Sequence, residues 1–172
     1  QRVRNKNIRI IAGKPLIWHT INYALKYIKN SKIIVSTDCN EVKKIAKRFY
    51  LDIYDRPVKL ASSKSSMYDV LEDINKQLQK NGFKTKFITL LQPTSPIRKK
   101  NLINRGLSIM KKNKEFSSLI HVGQIKEFTG SVKRNCWIPD FLETTRSQDI
   151  PPKYVPTGCL FIYNVLKTID KG

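Results

Sequence analysis

The sequence predicts an α/β fold with a doubly wound, mostly parallel sheet, and two features carry this prediction. First, segments with helical apolar spacing alternate with short apolar, β-branched segments as far as residue 122, an alternation typical of parallel sheets. Second, the strand-like segment 86–91 runs directly into a loop that contains Pro93 and Pro96. Each proline removes a backbone donor and fixes φ, so the strand ends there. Because open α/β sheets bind ligands beyond their strand ends, this loop is a candidate site.

The first half of the chain supplies three helices and two strands. Apolar residues with helical spacing predict a helix from Pro15 to about Asn30, since proline suits the first helical position. A short apolar strand at 32–38 follows, and Asp38 is expected to cap the next helix. After a strand at 51–54, the Ser66-x-x-Asp69 spacing is typical of a capping box and predicts a helix that ends near Gly82.

The second half continues this alternation and then interrupts it. A helix is predicted over 102–110 and a strand over 117–122. The segment 123–157 is punctuated by glycines and prolines, which predicts no long helix there. A last strand is predicted at 158–164. At 172 residues, the chain is expected to form one domain, 1–172, with 123–157 as an insertion.

Composition limits the classes of function. No apolar run approaches the roughly 20 residues of a membrane-spanning helix. Cys39, Cys136 and Cys159 are odd in number and widely spaced, which predicts reduced thiols in a cytoplasmic protein. The net charge of +20 would attract polyanions. However, the lysines are spread along the chain and the longest basic run covers only 98–100, so no nucleic acid partner is predicted.

The loop 90–98 reads LLQPTSPIR, and this string resembles the signature loop of the cytidylyltransferases that activate sialic acid and related nonulosonic acids. The usual sequence of that family has leucine at the position of Ile97 and is identical at the other eight positions. Further motifs of the family occur in the same order along the chain: K-N-I at 6–8, G-K-P-L at 13–16, S-T-D at 36–38, R-P-x-x-L-A at 56–61 and R-x-Q-D-I-P at 146–151.

The resemblance implies a Rossmann-like domain of the nucleotidyltransferase type that lacks both termini of the family pattern. It implies that CMP passes from CTP to the anomeric hydroxyl of a nonulosonic (sialic-type) sugar acid, an acidic nine-carbon sugar, with release of pyrophosphate. It also implies Mg²⁺ as cofactor, a homodimer, and an arm at 123–157 that dimerises and covers the substrate. The family holds Mg²⁺ on a D-I-D motif that this sequence lacks, so no metal ligand is assigned.

The resemblance also assigns the site residues. Lys6 is a catalytic and phosphate-binding residue, Arg56 contacts the nucleotide, and Asn7 and Ser66 contact the nucleoside. On residue type alone, Lys6 would be a surface lysine and Ser66 a helix cap. The sugar acid is assigned to Gln92, which is also catalytic, and to Pro93, Thr94, Ser95, Arg146 and Gln148. A guanidinium suits a carboxylate because its fork binds bidentately.

Two alternatives stay open at this point. Where enzymes for sialic acid commonly have an arginine and an asparagine, the sequence has Val155 and Thr157, so the identity of the sugar acid is undecided. One alternative is a relative that binds nucleotide or sugar acid without catalysis, because the family's first strand, phosphate loop and metal aspartates are not found in the sequence. The other, a basic nucleic-acid-binding module, depends on the charge alone.

Overall fold

The computed structural model describes residue 3 and residues 5–62, 65–142 and 145–169. The chain divides into two compact units, Gln1–Ile120 with Gly158–Gly172, and His121–Thr157. The second unit covers the range that the sequence sets apart as an arm. A role of that unit in dimerisation stays a prediction.

Helices and strands alternate along the first unit, as predicted. The helices are α1 (Leu16–Tyr27), α2 (Asn40–Arg48), α3 (Val58–Ala61), α4 (Met67–Lys80) and α5 (Leu102–Lys112). Across both units, the strands are β1 (Ile10–Ile11), β2 (Lys14–Pro15), β3 (Ile34–Thr37), β4 (Asp52–Asp55), β5 (Phe87–Leu90), β6 (Ser118–Ile125), β7 (Gly130–Lys133), β8 (Cys136–Pro139) and β9 (Lys153–Asn164). A 3₁₀ turn at Lys6–Ile8 precedes them, and a π-helical turn at Val165–Ile169 follows.

The strands of the first unit form an antiparallel pair of β1 and β2, a parallel pair of β3 and β4, and a three-stranded group. β3 and β4 are parallel, with Val35 opposite Ile53. β9 lies between β5 and β6 and runs antiparallel to β5, with Thr89 opposite Ile162. The described pairings thus include both directions, and an antiparallel strand is common in doubly wound sheets.

Apolar clusters attach the helices to these strands. One cluster joins α1, α2 and β3, and Ile8 of the first turn packs against it. A second joins α1, α5 and β9. In the second, Gly106 of α5 allows a close approach, since a Cβ at this residue would lie 2.8 Å from Ile162 Cδ1 and 2.9 Å from Leu160 Cδ2. A third cluster joins Tyr54 of β4 to α4.

Three element ends differ from the predictions. Asp38 does not cap α2: the N-cap is Cys39, whose N–H donates to Thr37 Oγ1 at 3.1 Å. α1 ends at Tyr27, before the predicted Asn30, which has a φ of 58°. β9 begins before the predicted residue 158 and contains Gly158, whose φ of +74° is typical of a bulge within a strand.

The second unit contains a tight hairpin. β7 and β8 pair antiparallel, with Val132 opposite Trp137. Arg134 and Asn135 join them with φ values of 49° and 61°, the signs that a type I′ turn requires. A 3₁₀ turn covers Ser147–Asp149. The described residues of this unit contain no α-helix, in agreement with the sequence.

Candidate active site

The backbone of Gln92 is fastened at the carboxyl end of β5. Its N–H donates to the carbonyl oxygen of Gly158 in the neighbouring β9, at 3.3 Å. Its own carbonyl oxygen accepts from Ser95 N–H at 3.1 Å and from Arg98 Nη2 at 2.7 Å. The first residue of the proline loop is thus held at both backbone polar groups.

The side chains of Gln92 and Ser95 lie directly over Gly158. A Cβ built on Gly158 would be 2.6 Å from Gln92 Oε1 and 2.9 Å from Ser95 Oγ. Real Cβ atoms do not approach other atoms so closely, and the positive φ independently favours glycine. The structure therefore brings together two of the predicted sugar-acid residues. Pro93 and Thr94 lie between them in the same loop, with Thr94 exposed.

Arg98, which sequence reasoning did not assign to the site, fastens the other end of this loop. Its Nε donates to Cys159 O at 2.9 Å and its Nη1 to Thr20 Oγ1 on α1 at 3.1 Å. The guanidinium lies 5.6 Å from the centre of the Tyr23 ring, and burial lowers the pKa of Arg98. The side chain of Arg98 is partly buried, and its hydrogen bonds connect the loop to β9 and α1.

Arg56 occupies the carboxyl ends of the parallel strands β3 and β4. Its backbone N–H donates to Thr37 O at 3.1 Å. Its Nη2 donates to Ser36 O at 3.0 Å and to Ser36 Oγ at 3.2 Å, and its Nε is 3.3 Å from the same hydroxyl. These bonds use Nε and Nη2 of the guanidinium and do not involve Nη1. The guanidinium is thus oriented by β3 and retains donors for an anion.

The turn Lys6–Ile8 presents the predicted nucleotide residues of the N-terminal motif. Lys6 is exposed, whereas Ile8 is packed against the cluster of α1, α2 and β3. Asn7 Oδ1 is buried and has no hydrogen-bond partner among the described residues. Because an unpaired buried acceptor costs about 1–3 kcal/mol, this oxygen is well suited to accept a hydrogen bond from a ligand.

Ser66 is the N-cap of α4 and forms the predicted capping box. Its Oγ accepts from Asp69 N–H at 3.1 Å, and Asp69 Oδ2 accepts from Ser66 N–H at 3.0 Å. The structural role predicted for Ser66 is confirmed. Its hydroxyl is used as an acceptor, and its proton remains available for donation.

Arg146 and Gln148 belong to the second unit. Arg146 Nε forms an ion pair with Asp149 Oδ2 at 2.7 Å, and Gln148 O accepts from Lys126 Nζ at 3.3 Å. Both side chains are exposed. Exposed ion pairs contribute little stability, so the guanidinium can exchange Asp149 for another carboxylate at small cost.

Two other features of the described residues concern whether a triphosphate or a metal ion could bind elsewhere in the chain. A cleft of about 310 Å³ is lined mainly by acidic and basic side chains of α3 and α4, and it includes none of the predicted site residues: Lys59, Leu60, Asp69, Glu72, Asp73 and Lys76. No three His, Cys, Asp or Glu side chains in the described ranges are grouped so that they could hold a metal ion. The described helices are also too short or too polar to cross a membrane.

Comparisons with known proteins show which family and fold the chain shares. A family model described as cytidylyltransferase matches residues 1–138. The N-acylneuraminate cytidylyltransferase of Streptococcus agalactiae serotype III is 27% identical over 168 residues, which cover 93% of this chain and 40% of that protein. The CMP-N,N'-diacetyllegionaminic acid synthase of Legionella pneumophila is 35% identical over 112 residues, which cover 64% of this chain and 48% of that protein. The chain thus spans less than half the length of these curated relatives.

Solved structures share the fold. A CMP:2-keto-3-deoxy-manno-octonic acid synthetase complexed with CTP matches with a TM-score of 0.65 and 15% identity, over 95% of this chain and 69% of that one. A 4-diphosphocytidyl-2C-methyl-D-erythritol synthase matches with a TM-score of 0.64 and 7% identity, over 91% and 70%. These likenesses confirm the predicted fold class. Because the family model covers most of the sequence, the chain belongs to the cytidylyltransferase family.

Proposed function

We propose that the protein transfers CMP from CTP to the anomeric hydroxyl of a nonulosonic, sialic-type sugar acid. The observation that carries this proposal is the position of Gln92 at the carboxyl end of β5, where α/β sheets bind their ligands. Its backbone is held by Gly158 and Arg98, and its side-chain oxygen lies over Gly158. The relatives named for acylneuraminate and diacetyllegionaminic acid support an acidic nine-carbon sugar as the acceptor.

The proposed reaction is a single phosphoryl transfer. The anomeric oxygen of the sugar forms a bond to the α-phosphorus of CTP, the bond from that phosphorus to the pyrophosphate oxygen breaks, and the hydroxyl proton passes to solvent. Such chemistry depends on positioning and on charge neutralisation rather than on a protein nucleophile. Lys6 and Arg56 are the proposed phosphate partners, because each offers a cationic donor.

The nucleoside and the sugar acid need different partners. Asn7 Oδ1, the buried unpaired acceptor, would accept from the amino group of cytosine or from a ribose hydroxyl, and the Ser66 hydroxyl would donate to the nucleoside. Gln92 offers both a donor and an acceptor to the sugar, beside Pro93, Thr94 and Ser95. In the second unit, we further propose Arg146 and Gln148 as contacts of the sugar acid.

Mg²⁺, a homodimer and a cytoplasmic location complete the proposal. Mg²⁺ neutralises triphosphate charge where it is bound, and it usually takes one or two carboxylates besides the phosphates. The described residues provide no metal cage, so no residue here is assigned to it. Exposed Val132, Trp137 and Ile138 on the hairpin support a dimer contact in the second unit. The three cysteines, Cys39, Cys136 and Cys159, are odd in number and widely spaced in the sequence, a pattern that supports a reducing compartment.

The test is pyrophosphate release from CTP and Mg²⁺ with a panel of nonulosonic acids, using this chain and the natural full-length protein. In the active form, Gln92→Ala should raise the KM for the sugar acid roughly tenfold, which corresponds to about 1.4 kcal/mol, and leave the KM for CTP unchanged. Gln79→Ala, on the exposed surface of α4, is the matched control and should change neither constant.

Other outcomes would change the proposal. Unaltered turnover by Gln92→Ala would remove Gln92 from the site. Binding of CTP with no turnover by either protein would favour the relative that binds without catalysis. Failure to bind CTP at all would contradict the proposed function.

A further inference from the structure

Arg98 connects three segments that are far apart in the sequence. Through separate nitrogen atoms, its guanidinium donates to Gln92 O of the loop, to Cys159 O of β9 and to Thr20 Oγ1 of α1, at 2.7, 2.9 and 3.1 Å. Tyr23, one turn after Thr20 on the same helix face, places its ring against the guanidinium and donates from its hydroxyl to Lys99 O at 2.9 Å. Two α1 side chains thus anchor the end of the loop.

The surroundings of Arg98 are unusual for a charged side chain. The guanidinium is partly buried, and none of the ion pairs found among the described residues includes it. Instead, its nitrogen atoms donate to two carbonyl oxygens and one hydroxyl, and the group lies against an aromatic ring. A partly desolvated charge is retained only where its donors are satisfied, so these three acceptors fix the side chain in one orientation.

The hydrogen bonds of Arg98 also restrict the position of Gln92 and its side chain. The Gln92 carbonyl is held by Arg98, its N–H by Gly158, and its side-chain oxygen lies over the Gly158 backbone. We propose that Arg98 is a positioning residue, which orients the Gln92 amide toward the sugar acid and does not itself touch substrate. This inference rests on the proposed function of the Gln92 loop and adds the residue that makes the loop rigid.

Lysine cannot reproduce this arrangement. The guanidinium is a planar fork whose donors point in fixed directions, whereas an ammonium group is a compact point charge on a flexible stem. An Arg98→Lys variant retains the charge and loses the fork. It therefore separates positioning from a simple electrostatic attraction of the acidic sugar.

The kinetic test compares Arg98→Lys and Arg98→Ala with two controls. Both Arg98 variants should raise the KM for the sugar acid roughly tenfold or more, as loss of an oriented hydrogen bond of about 1.4 kcal/mol would, with the KM for CTP unchanged. Thr20→Val removes the bond to α1 and leaves both bonds that hold the loop to β9, so it should lower the melting temperature without the change in KM. Arg105→Ala, exposed on α5, should change neither.

A second measurement does not require activity. In ¹⁵N-labelled protein, the side-chain amide signals of Gln92, assigned with Gln92→Ala, should shift and broaden in Arg98→Lys, while those of Gln79 should not. Wild-type KM for the sugar acid in Arg98→Lys, or unmoved Gln92 signals, would overturn the inference. So would an equal rise in both KM values. If the wild-type protein turned over no sugar acid, the proposed function would fail, and the amide signals would still test whether Arg98 positions Gln92.

Discussion

At Gly158, the side chains of Gln92 and Ser95 occupy the space where any other residue would place its Cβ, 2.6 Å and 2.9 Å away. The backbone there also has a φ of +74°, which costs other residues about 1–2 kcal/mol. Two separate constraints therefore act on one position. The first concerns the geometry of the site, and the second concerns only the stability of the backbone.

A matched pair of substitutions separates these constraints. Gly82 has a φ of +79°, and nothing lies within 4 Å of a Cβ built on it. Gly158→Ala and Gly82→Ala should each lower the free energy of unfolding by about 1–2 kcal/mol, measured by urea denaturation. Only Gly158→Ala should also raise the KM for the sugar acid, because its methyl group displaces the Gln92 amide. Equal kinetic constants in the two variants would contradict this view of the site.

The residues of the loop were only partly predictable from the sequence. The string LLQPTSPIR identifies Gln92, and the preceding apolar strand gives its position at a strand end. The role of Arg98 was not predictable, because its acceptors belong to residues 20, 92 and 159 and nothing in the local pattern indicates which way the side chain points. The unpaired Oδ1 of Asn7 was likewise invisible, since burial of a single atom depends on the packing of the whole turn.

At the scale of single elements, the start of α4 is stabilised by a capping box, which is an entirely local arrangement. Ser66 and Asp69 exchange hydrogen bonds between side chain and backbone across three residues. Because both partners lie within one turn, their spacing was sufficient to predict the helix start. The same residue is proposed to contact the nucleoside, and the two roles can be measured separately.

Ser66→Ala should lower the free energy of unfolding by about 1 kcal/mol, because an N–H at the start of α4 loses its acceptor. If the hydroxyl also donates to the nucleoside, the dissociation constant for CTP, measured by calorimetry, should rise several-fold. Ser108→Ala, in the interior of α5 and exposed, removes a hydroxyl that caps nothing and should leave both quantities nearly unchanged. A stability loss with unaltered CTP affinity would restrict Ser66 to its capping role.

Other element ends were not predicted correctly from residue type. Asp38 has the residue type of a cap, yet α2 begins after Cys39. The backbone N–H of Cys39 donates a hydrogen bond to Thr37 Oγ1. Pro156 and Gly158 are residue types that often end a strand, yet both lie inside β9, where Gly158 takes the φ of +74° that is typical of a bulge. Local residue preferences predicted the existence of these elements and not their limits, because residue type alone does not specify which backbone conformation and hydrogen bonds form at an element end.

At the scale of the whole molecule, 33 lysines and arginines outnumber 13 aspartates and glutamates, which gives a net charge of +20. The ion pairs in the described part of the chain are largely exposed, such as Lys44 with Glu41 and Lys76 with Glu72. Charges of this kind are strongly screened by salt. A diffuse positive surface would draw CTP and an acidic sugar toward the protein, and it would also attract any other polyanion without a specific site.

Binding to random duplex DNA distinguishes a diffuse surface from a dedicated nucleic-acid groove. We expect a dissociation constant of about 10⁻⁴–10⁻⁶ M at physiological salt, typical of non-specific contact with phosphates. Affinity should fall by orders of magnitude between about 50 and 200 mM salt, because binding is driven by release of counterions. Fluorescence anisotropy of a labelled duplex measures both, with CTP binding under the same conditions as the reference. Tight binding that persists at high salt would instead support the nucleic-acid-binding alternative, because such affinity requires built contacts beyond the basic surface.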